Sequence, residues 1–311
     1  MEIMKMNVKI IVICCLLGCI VSNSDAQDYY SGGGGSWRRR PADNPPPKDK
    51  QDQSNPEPSG YISINFGFAN PEATFGQPFP QNSFANNYNY GVGIGYGGYA
   101  SPGSVFHLSL AFPVNHSNFG VALMFGSYDN QYNLNSYVNA LNNSPANYNP
   151  YSNSPILAYS TAPSTQPDYS ASSILAGLFY TYPIGRLSID ARLMLGVLLS
   201  DLPEQDVAAI DGAGDQLQYD VEPSSSTSFA VDAGIGARFL VAEIARRKIC
   251  VMINVDYLYS SISYNTQQDL YVVPATGPNA NQLEQLSPTP AITGSIPLQL
   301  FNVTFGIGYQ L

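Results

Sequence analysis

The chain has 311 residues, and its 23 acidic residues outnumber its 13 lysines and arginines, for a formal net charge of −10. This acidic balance disfavours binding to nucleic acid, whose phosphates attract basic surfaces. Charged residues make up only 12 % of the chain while tyrosines number 22, a composition unlike that of an ordinary cytosolic domain. Beyond residue 26 no apolar run reaches the roughly 18 residues of a membrane-spanning helix, so helical spans are not expected.

Residues 1–26 predict a secretory signal peptide. Lys5 and Lys9 lead into an apolar segment at 10–21 that is too short to span a bilayer, and small residues precede Ala26. The predicted cleavage site lies between Ala26 and Gln27, and cleavage there would remove this segment from the folded protein.

A second interpretation of the same segment stays open. Residues 16–19 read Leu-Leu-Gly-Cys, which resembles a lipobox and would make Cys19 a lipidated N-terminus. If cleavage instead follows Ala26, Cys250 is the only cysteine left in the mature chain. In that case no intrachain disulfide can form.

Residues 27–59 predict a disordered linker rich in Gly and Pro. Four glycines at 32–35, three arginines at 38–40 and three prolines at 45–47 leave almost nothing that could pack into a core. We expect a solvated tether. A periplasmic contact through Trp37 and the arginines is the alternative.

From residue 60 onward, eight segments alternate between apolar residues and small or polar residues with a period of two. This pattern predicts strands with one apolar face. In lipid, such strands pair fully when they close into a barrel, with the apolar face outward. The predicted strands are 61–68, 104–112, 119–127, 172–182, 187–198, 229–239, 249–260 and 298–311.

The connections between these strands alternate in length. Those after the second, fourth and sixth strands are short, whereas the other four run to roughly 30–40 residues. An eight-stranded membrane barrel with short periplasmic turns and long outer loops has this arrangement. Alternating residues at 89–100 leave a ten-stranded barrel open, with a partner strand near 155–161.

The last strand also resembles the C-terminal insertion signal of bacterial outer-membrane barrels. The matching residues are Thr304, Gly306, Tyr309 and Leu311. Most such signals end in Phe, so Leu311 departs from the pattern. The resemblance implies that the barrel-assembly machinery is a partner during insertion.

Acidic residues are concentrated in the four predicted long loops, which hold twelve carboxylates and no Lys or Arg. Seven of these acids lie at 201–222. Ca²⁺ prefers several carboxylate oxygens, but the spacing matches no calcium-binding loop. A solvated loop whose charges repel one another is therefore the favoured interpretation.

A second group of charges falls on the predicted inner face of the barrel. A charge that faces lipid near the bilayer midplane costs about 2–4 kcal/mol, so these residues are expected to point inward. We predict a polar network that fills the lumen, with a narrow gated conduit as the alternative. Its members are His107, Asp190, Arg192, Asp232, Arg238 and Asp256.

The sequence gives little support for catalysis. His107 lies two positions from Ser109, but the sequence places no carboxylate near it, and His116 falls in a predicted periplasmic turn. No metal-ligand cluster, phosphate-binding loop or redox motif is present in the sequence. We therefore expect neither an enzyme nor a cofactor.

Residues 60–311 resemble the small outer-membrane β-barrel family of Bacteroidota, related in architecture to the OmpA and OmpX type. The resemblance rests on Gly-Tyr-Ile-Ser-Ile-Asn-Phe-Gly at 60–67, on the strand at 187–196 and on Asp256 with Tyr257. It implies an all-β, antiparallel up-and-down transmembrane barrel with long extracellular loops, placed in the bacterial outer membrane with a periplasmic linker. This family shares no catalytic residues.

Three functions follow as hypotheses. The first is a non-catalytic barrel that displays Tyr- and Asn-rich acidic loops for envelope structure or for contact with a surface or envelope protein. The second is a narrow, porin-like transport channel. The third is an accessory subunit of a larger outer-membrane complex, with residues 27–59 as its periplasmic attachment.

Overall fold

A computed structural model describes residues 60–76, 98–115, 117–143, 148–149, 152–161, 168–244, 247–266, 268–286 and 292–311. All of these belong to one compact unit, Gln53–Leu311. The predicted signal peptide with its Ala26–Gln27 cleavage site, Cys19, the linker 27–59 and His116 lie outside the described residues.

Within the described residues the chain forms thirteen strands and two short helices. The strands are β1 (Tyr61–Pro71), β2 (Gly103–Pro113), β3 (Phe119–Gln131), β4 (Ile156–Thr161), β5 (Asp168–Ile184), β6 (Leu187–Leu202), β7 (Gln205–Asp211), β8 (Gln216–Val221), β9 (Ser224–Ile244), β10 (Arg247–Thr266), β11 (Gln268–Val273), β12 (Glu284–Leu286) and β13 (Ile292–Gln310). The helices are α1 (Ala73–Gly76) and α2 (Leu134–Asn142).

Eight of the strands close into an antiparallel barrel in the order β1-β13-β10-β9-β6-β5-β3-β2. Each strand pairs with its neighbour along the barrel, and β1 closes the ring against β13 from Tyr61 to Pro71. The predicted all-β barrel of eight strands is confirmed. The ten-stranded alternative is wrong, because residues 156–161 form β4 in a different sheet.

Alternation along each barrel strand separates two environments. Large apolar side chains face outward and are exposed, for example Phe68 at 68 %, Leu178 at 66 % and Ile307 at 65 %. The intervening residues face the lumen and are mostly small or polar. In β1, Ser63 and Asn65 are only 2 % and 1 % exposed.

Several barrel strands extend well beyond their predicted bounds, and the three longest are β9, β10 and β13. The strand predicted at 229–239 is β9, which has 21 residues, and β10 and β13 have 20 and 19 residues. About 9–11 tilted residues suffice to cross a bilayer. The additional length of β-structure therefore continues the barrel wall past what a membrane requires.

Segments of three of the four long connections fold together into a second sheet, which we call the loop sheet. Its strand order is β12-β11-β8-β7-β4. The solvated, self-repelling loop predicted at 201–222 is therefore wrong for β7 and β8. Alternate apolar residues on these strands give the sheet a buried face that outweighs the repulsion, with Val207, Leu217, Tyr219, Leu270 and Val272 at most 3 % exposed.

Helix α2 covers the β4 edge of the loop sheet. Its start is capped by the side chain of Asn133, which accepts the backbone N–H of Ser136 at 2.9 Å. At its other end, the Asn142 side chain accepts the backbone N–H of Tyr159 at 2.7 Å and donates to the carbonyl of Tyr159 at 3.0 Å. Asn142 thus occupies the place of a neighbouring strand residue and protects the edge from pairing.

One apolar core joins the barrel to the loop sheet. It includes Leu198, Leu258 and Leu300 inside the barrel, Tyr137 of α2, and Tyr219 of the loop sheet. A smaller cluster of Tyr61, Ala111, Phe179, Cys250 and Met252 lies elsewhere in the lumen.

Candidate functional sites in the lumen and on the loop sheet

Arg192 on β6 and Asp256 on β10 form an ion pair across the inside of the barrel. The Arg192 Nε donates to Asp256 Oδ1 at 2.8 Å, and Arg192 Nη1 donates to Asn254 Oδ1 at 3.3 Å. Strand β9 lies between the two partners, and Gly234 makes the pair fit. A Cβ at Gly234 would lie 1.8 Å from Asp256 Oδ1.

A second ion pair joins Arg238 and Asp190, whose nearest atoms are 3.3 Å apart. Thr181 donates its hydroxyl to Asp190 at 2.6 Å. The Arg238 guanidinium also lies 4.4 Å from the centre of the Tyr61 ring, in cation–π geometry. Both arginines are therefore paired with a carboxylate of another barrel strand.

The other two predicted lumen residues lie in the barrel but form no ion pair with the described residues. Asp232 is fully buried, and neither of its carboxylate oxygens has a hydrogen-bond partner among the described residues. His107 is also fully buried, and its Nε2 lies 3.2 Å from the Tyr128 hydroxyl. That hydroxyl is in turn 3.3 Å from Ser173 Oγ.

Apolar side chains occupy the lumen next to these charges. Leu258 follows Asp256 by two positions on the same face of β10 and is paired with Leu300 on β13. With Leu175 and Leu198 these residues are 0 % exposed, and Met194 is 1 % exposed. We call these five residues the lumen plug. The sequence prediction missed the plug, although Met194 and Leu198 share the inward face of β6 with Arg192.

Two acids of the loop at 201–222 hold the loop sheet together. Asp211 accepts from Asn149 at 2.7 Å, from Ser152 at 2.6 Å and from the backbone N–H groups of Ala213 and Asp215. Burial raises the pKa of Asp211, but these hydrogen bonds outweigh it and leave the pKa below its ordinary value. Asp215 accepts the backbone N–H of Ala275 at 2.9 Å, which ties this loop to the next one.

Three other acids lie directly opposite one another on adjacent strands. Asp206 on β7 is paired with Asp220 on β8, which is paired with Asp269 on β11. We call these three residues the acid row. Carboxylate oxygens of Glu204, Asp206 and Asp220 lie within 4.8 Å of one another. Burial and the neighbouring Asp206 raise the pKa of Asp220 to about 6.

The predicted insertion-signal residues divide between the two faces of β13. Thr304 is fully buried in the lumen, whereas Tyr309 and Leu311 are 38 % and 49 % exposed on the outside. Gly306 lies opposite Asn65 of β1. Recognition of these residues during insertion stays a prediction.

Among the described residues, no helix has the length and apolar character needed to cross a membrane. No protein-family profile matches the sequence, and no curated protein matches it. Three solved structures have a similar form. Neisserial surface protein A is 13 % identical, with a TM-score of 0.36 over 81 % of this chain and 97 % of that chain.

A major outer membrane protein from Thermus thermophilus is 10 % identical, with a TM-score of 0.33 over 81 % of this chain and all of that chain. The outer membrane protein AlkL, solved in DMPC lipid bilayers, is 14 % identical, with a TM-score of 0.28 over 90 % of this chain and 97 % of that chain. At these values the likenesses carry no inference about the activity of this chain.

Proposed function

We propose that this chain is a non-catalytic integral β-barrel protein of the bacterial outer membrane, which presents the loop sheet to the outside of the cell. The exposed apolar face of the barrel supports a lipid environment. Phe66, Phe119, Phe229 and Ile235 are each more than 60 % exposed, and water disfavours a continuous apolar surface of this kind.

The distribution of loops supports the orientation. The strand ends that the three short connections join, Pro113 with Phe119, Ile184 with Leu187, and Ile244 with Arg247, are all at one end of the barrel, whereas the loop sheet is built from connections at the other end. Short turns of outer-membrane barrels are periplasmic. The loop sheet is then extracellular and Gly60 lies at the periplasmic end of the barrel, so we propose that residues 27–59 are periplasmic.

The lumen plug is the observation that carries the proposed role. Ions need a hydrated path, and the five buried residues of the plug offer no polar group to replace water. An eight-stranded barrel is only wide enough for its own side chains. This argues for a closed barrel that supports a folded surface structure, and against the porin-like channel.

Burial of the lumen groups supports a non-catalytic role. His107 is the one described histidine, and it faces Tyr128 where a catalytic site would place a carboxylate. Its 0 % exposure leaves no access for a substrate.

The proposal also includes the finer family assignment and the partners. We place the chain with the Bacteroidota barrels of OmpA and OmpX type on the sequence resemblance alone. We further propose that the barrel-assembly machinery inserts it and that an envelope or surface protein is its partner.

Planar-bilayer recording tests the closed barrel. We expect refolded residues 27–311 to give no conductance steps, because the plug blocks the lumen. As a control, the variant Leu198→Ser/Leu258→Ser/Leu300→Ser replaces three plug residues with small polar ones and should give steps. Steps of equal size from both proteins would overturn the proposal in favour of a channel.

A further inference from the structure

The face of the loop sheet that points away from the core carries side chains in two uncharged rows. In the first row, Ser160 lies opposite Ala208, Ala208 opposite Gln218, Gln218 opposite Tyr271, and Tyr271 opposite Gln285. In the second row, Ala158, Ile210, Gln216 and Val273 follow one another on the same four strands from β4 to β11.

A cavity of about 350 Å³ lies along these rows, and we call it the groove. Ala158, Ser160 and Ala208 leave room on one side, because their side chains are small. Gln216 and Gln218 form the other side together with Tyr271. Ile210, Val273 and Leu283 complete the lining with apolar side chains. Each glutamine amide offers both donors and an acceptor, so the groove suits an uncharged chain such as a peptide backbone, which can bond to the amides.

The acid row runs beside the groove on the same face. Asp206, Asp220 and Asp269 each lie two positions along their strands from Ala208, Gln218 and Tyr271. Like charges placed directly opposite each other destabilise a sheet. The long loops contain no Lys or Arg, so a cationic partner would relieve the repulsion between Asp206 and Asp220.

The partner is expected to dock on the face of the sheet and not on its β4 edge. The backbone of Tyr159 at that edge is already bonded to Asn142. The face spans four strands about 4.8 Å apart, or roughly 14 Å, which matches four or five extended residues at about 3.3 Å each. Alternate side chains of an extended peptide point to the same side.

We propose that the groove binds an extended segment of a partner polypeptide that carries Lys or Arg at every second position. The backbone of the segment lies on Gln216 and Gln218, and its basic side chains reach across to the acid row. The outside location of this site rests on the function proposed above, whereas the binding itself does not.

Fluorescence anisotropy with labelled peptides tests the proposal on residues 27–311 refolded in zwitterionic micelles. The probe is Gly-Arg-Ser-Arg-Ser-Arg-Gly. One control peptide has the same composition with its arginines in a block, Gly-Arg-Arg-Arg-Ser-Ser-Gly. A second control replaces every Arg of the probe with Gln. We expect the alternating probe to bind at least about tenfold more tightly than either control.

One groove variant, one acid-row variant and a matched charge control separate the contributions of shape and charge to binding. Ala208→Phe fills the groove, and Asp206→Asn/Asp220→Asn removes two charges of the acid row. Each change should lower the affinity for the probe at least about tenfold. Glu72→Gln/Asp129→Asn removes two exposed charges outside the loop sheet and should leave the affinity within about twofold. Gln218→Ala, which adds no bulk, keeps the test valid if Ala208→Phe fails to fold.

Several outcomes would overturn the proposal. These are no binding of the probe to the unaltered protein, equal binding of the block peptide, or full binding to Gln218→Ala and Ala208→Phe. Titration with CaCl₂ tests the alternative that the acid row binds a cation instead of a peptide. Calcium binding that depends on Asp206 and Asp220, without peptide binding, would assign the acid row to a cation. Because micelles fix no orientation and need no closed lumen, a negative result leaves the bilayer test of the barrel unaffected.

Discussion

Asp232 is a lumen carboxyl group outside both ion pairs, so burial must either hold its charge away from water or force it to take up a proton. Asp190 and Asp256 are each paired with an arginine, whereas Asp232 is fully buried and its oxygens have no hydrogen-bond partner among the described residues. Isolated buried charges are costly because nothing replaces their hydration. This side chain therefore opposes the stability of the barrel that contains it.

We predict that Asp232→Asn stabilises the barrel by about 1–3 kcal/mol at neutral pH, because burying an ionisable group without a partner costs more than burying a neutral one. Asn has nearly the same shape and cannot ionise. Urea titrations read by the gel mobility of folded and unfolded protein give the midpoint. Asp190→Asn is the control and should lower it, because Arg238 would lose its counter-charge. Similar losses in both variants would contradict the prediction.

Asp220 makes the stability of the loop sheet depend on pH. Burial, together with Asp206 and Glu204 from the β7 side and Asp269 from β11, raises the pKa of Asp220 to about 6. The folded sheet then holds this proton more tightly than the unfolded chain does. The contribution of Asp220 to stability is therefore greatest in acid and is lost as the pH rises towards 6.

We predict that Asp220→Asn raises the melting temperature of the loop sheet at pH 7.5 and changes it little at pH 4.5. The reason is that the substitution removes a charge which the unaltered protein carries only at the higher pH. Circular dichroism melts at both pH values measure the difference. The exposed Asp129→Asn is the control. An equal gain from Asp220→Asn at both pH values would rule out the charge as the cause.

At the level of elements, barrel strands and loop strands differ in how clearly the sequence marks them. The barrel strands alternate between apolar and polar residues over long stretches, because one face meets lipid and the other the lumen. In β7, the apolar Val207 and Ala209 alternate with Asp206 and Ala208 over only a few residues. The acidic residues obscure that pattern, which is why the sequence predicts a solvated loop there.

Asn142 connects α2 to β4, and we expect this contact to protect the edge of the loop sheet from local opening. Asn142→Ala removes both hydrogen bonds to Tyr159 and should cost about 1–2 kcal/mol locally. We predict that the Tyr159 amide then exchanges its hydrogen roughly tenfold faster or more, as measured by NMR in micelles.

The neighbouring Asn143 offers the matched control, since its side chain donates to Asn139 within the same helix and does not reach β4. Asn143→Ala should leave the exchange of the Tyr159 amide unchanged. Equal acceleration by both substitutions would mean that fraying of α2, and not loss of the edge contact, exposes β4.

For the whole molecule, the inward-facing charges follow from strand periodicity, but their pairing does not. Arg192 and Asp256 lie 64 positions apart and are separated by β9 in the sheet. Their contact depends on the register of three strands and on Gly234. The lumen plug likewise could not be predicted from the sequence, because inward-facing and outward-facing leucines cannot be told apart until the strand register is known.

The contacts that close the barrel among the described residues begin at Gly60. Gly60 accepts the backbone N–H of Leu311 at 2.8 Å, and β1 pairs with both β13 and β2 from Tyr61 onward. We therefore predict that residues 60–311 refold into lipid vesicles with the same gel mobility shift and urea midpoint as residues 27–311. A protein that starts at residue 67 is the control and should not fold, because it loses six residues of β1 and with them the closure of the ring.

Failure of residues 60–311 to fold, with normal folding of 27–311, would contradict a linker role for 27–59 and make that segment part of the barrel. If both fold, a co-purification experiment with envelope extracts separates the remaining roles. A partner retained by 27–311 and lost by 60–311 would identify an accessory subunit that is attached through the linker. A partner retained by both proteins and lost by Ala208→Phe would instead identify the loop sheet as the contact, because the linker cannot compensate for a filled groove.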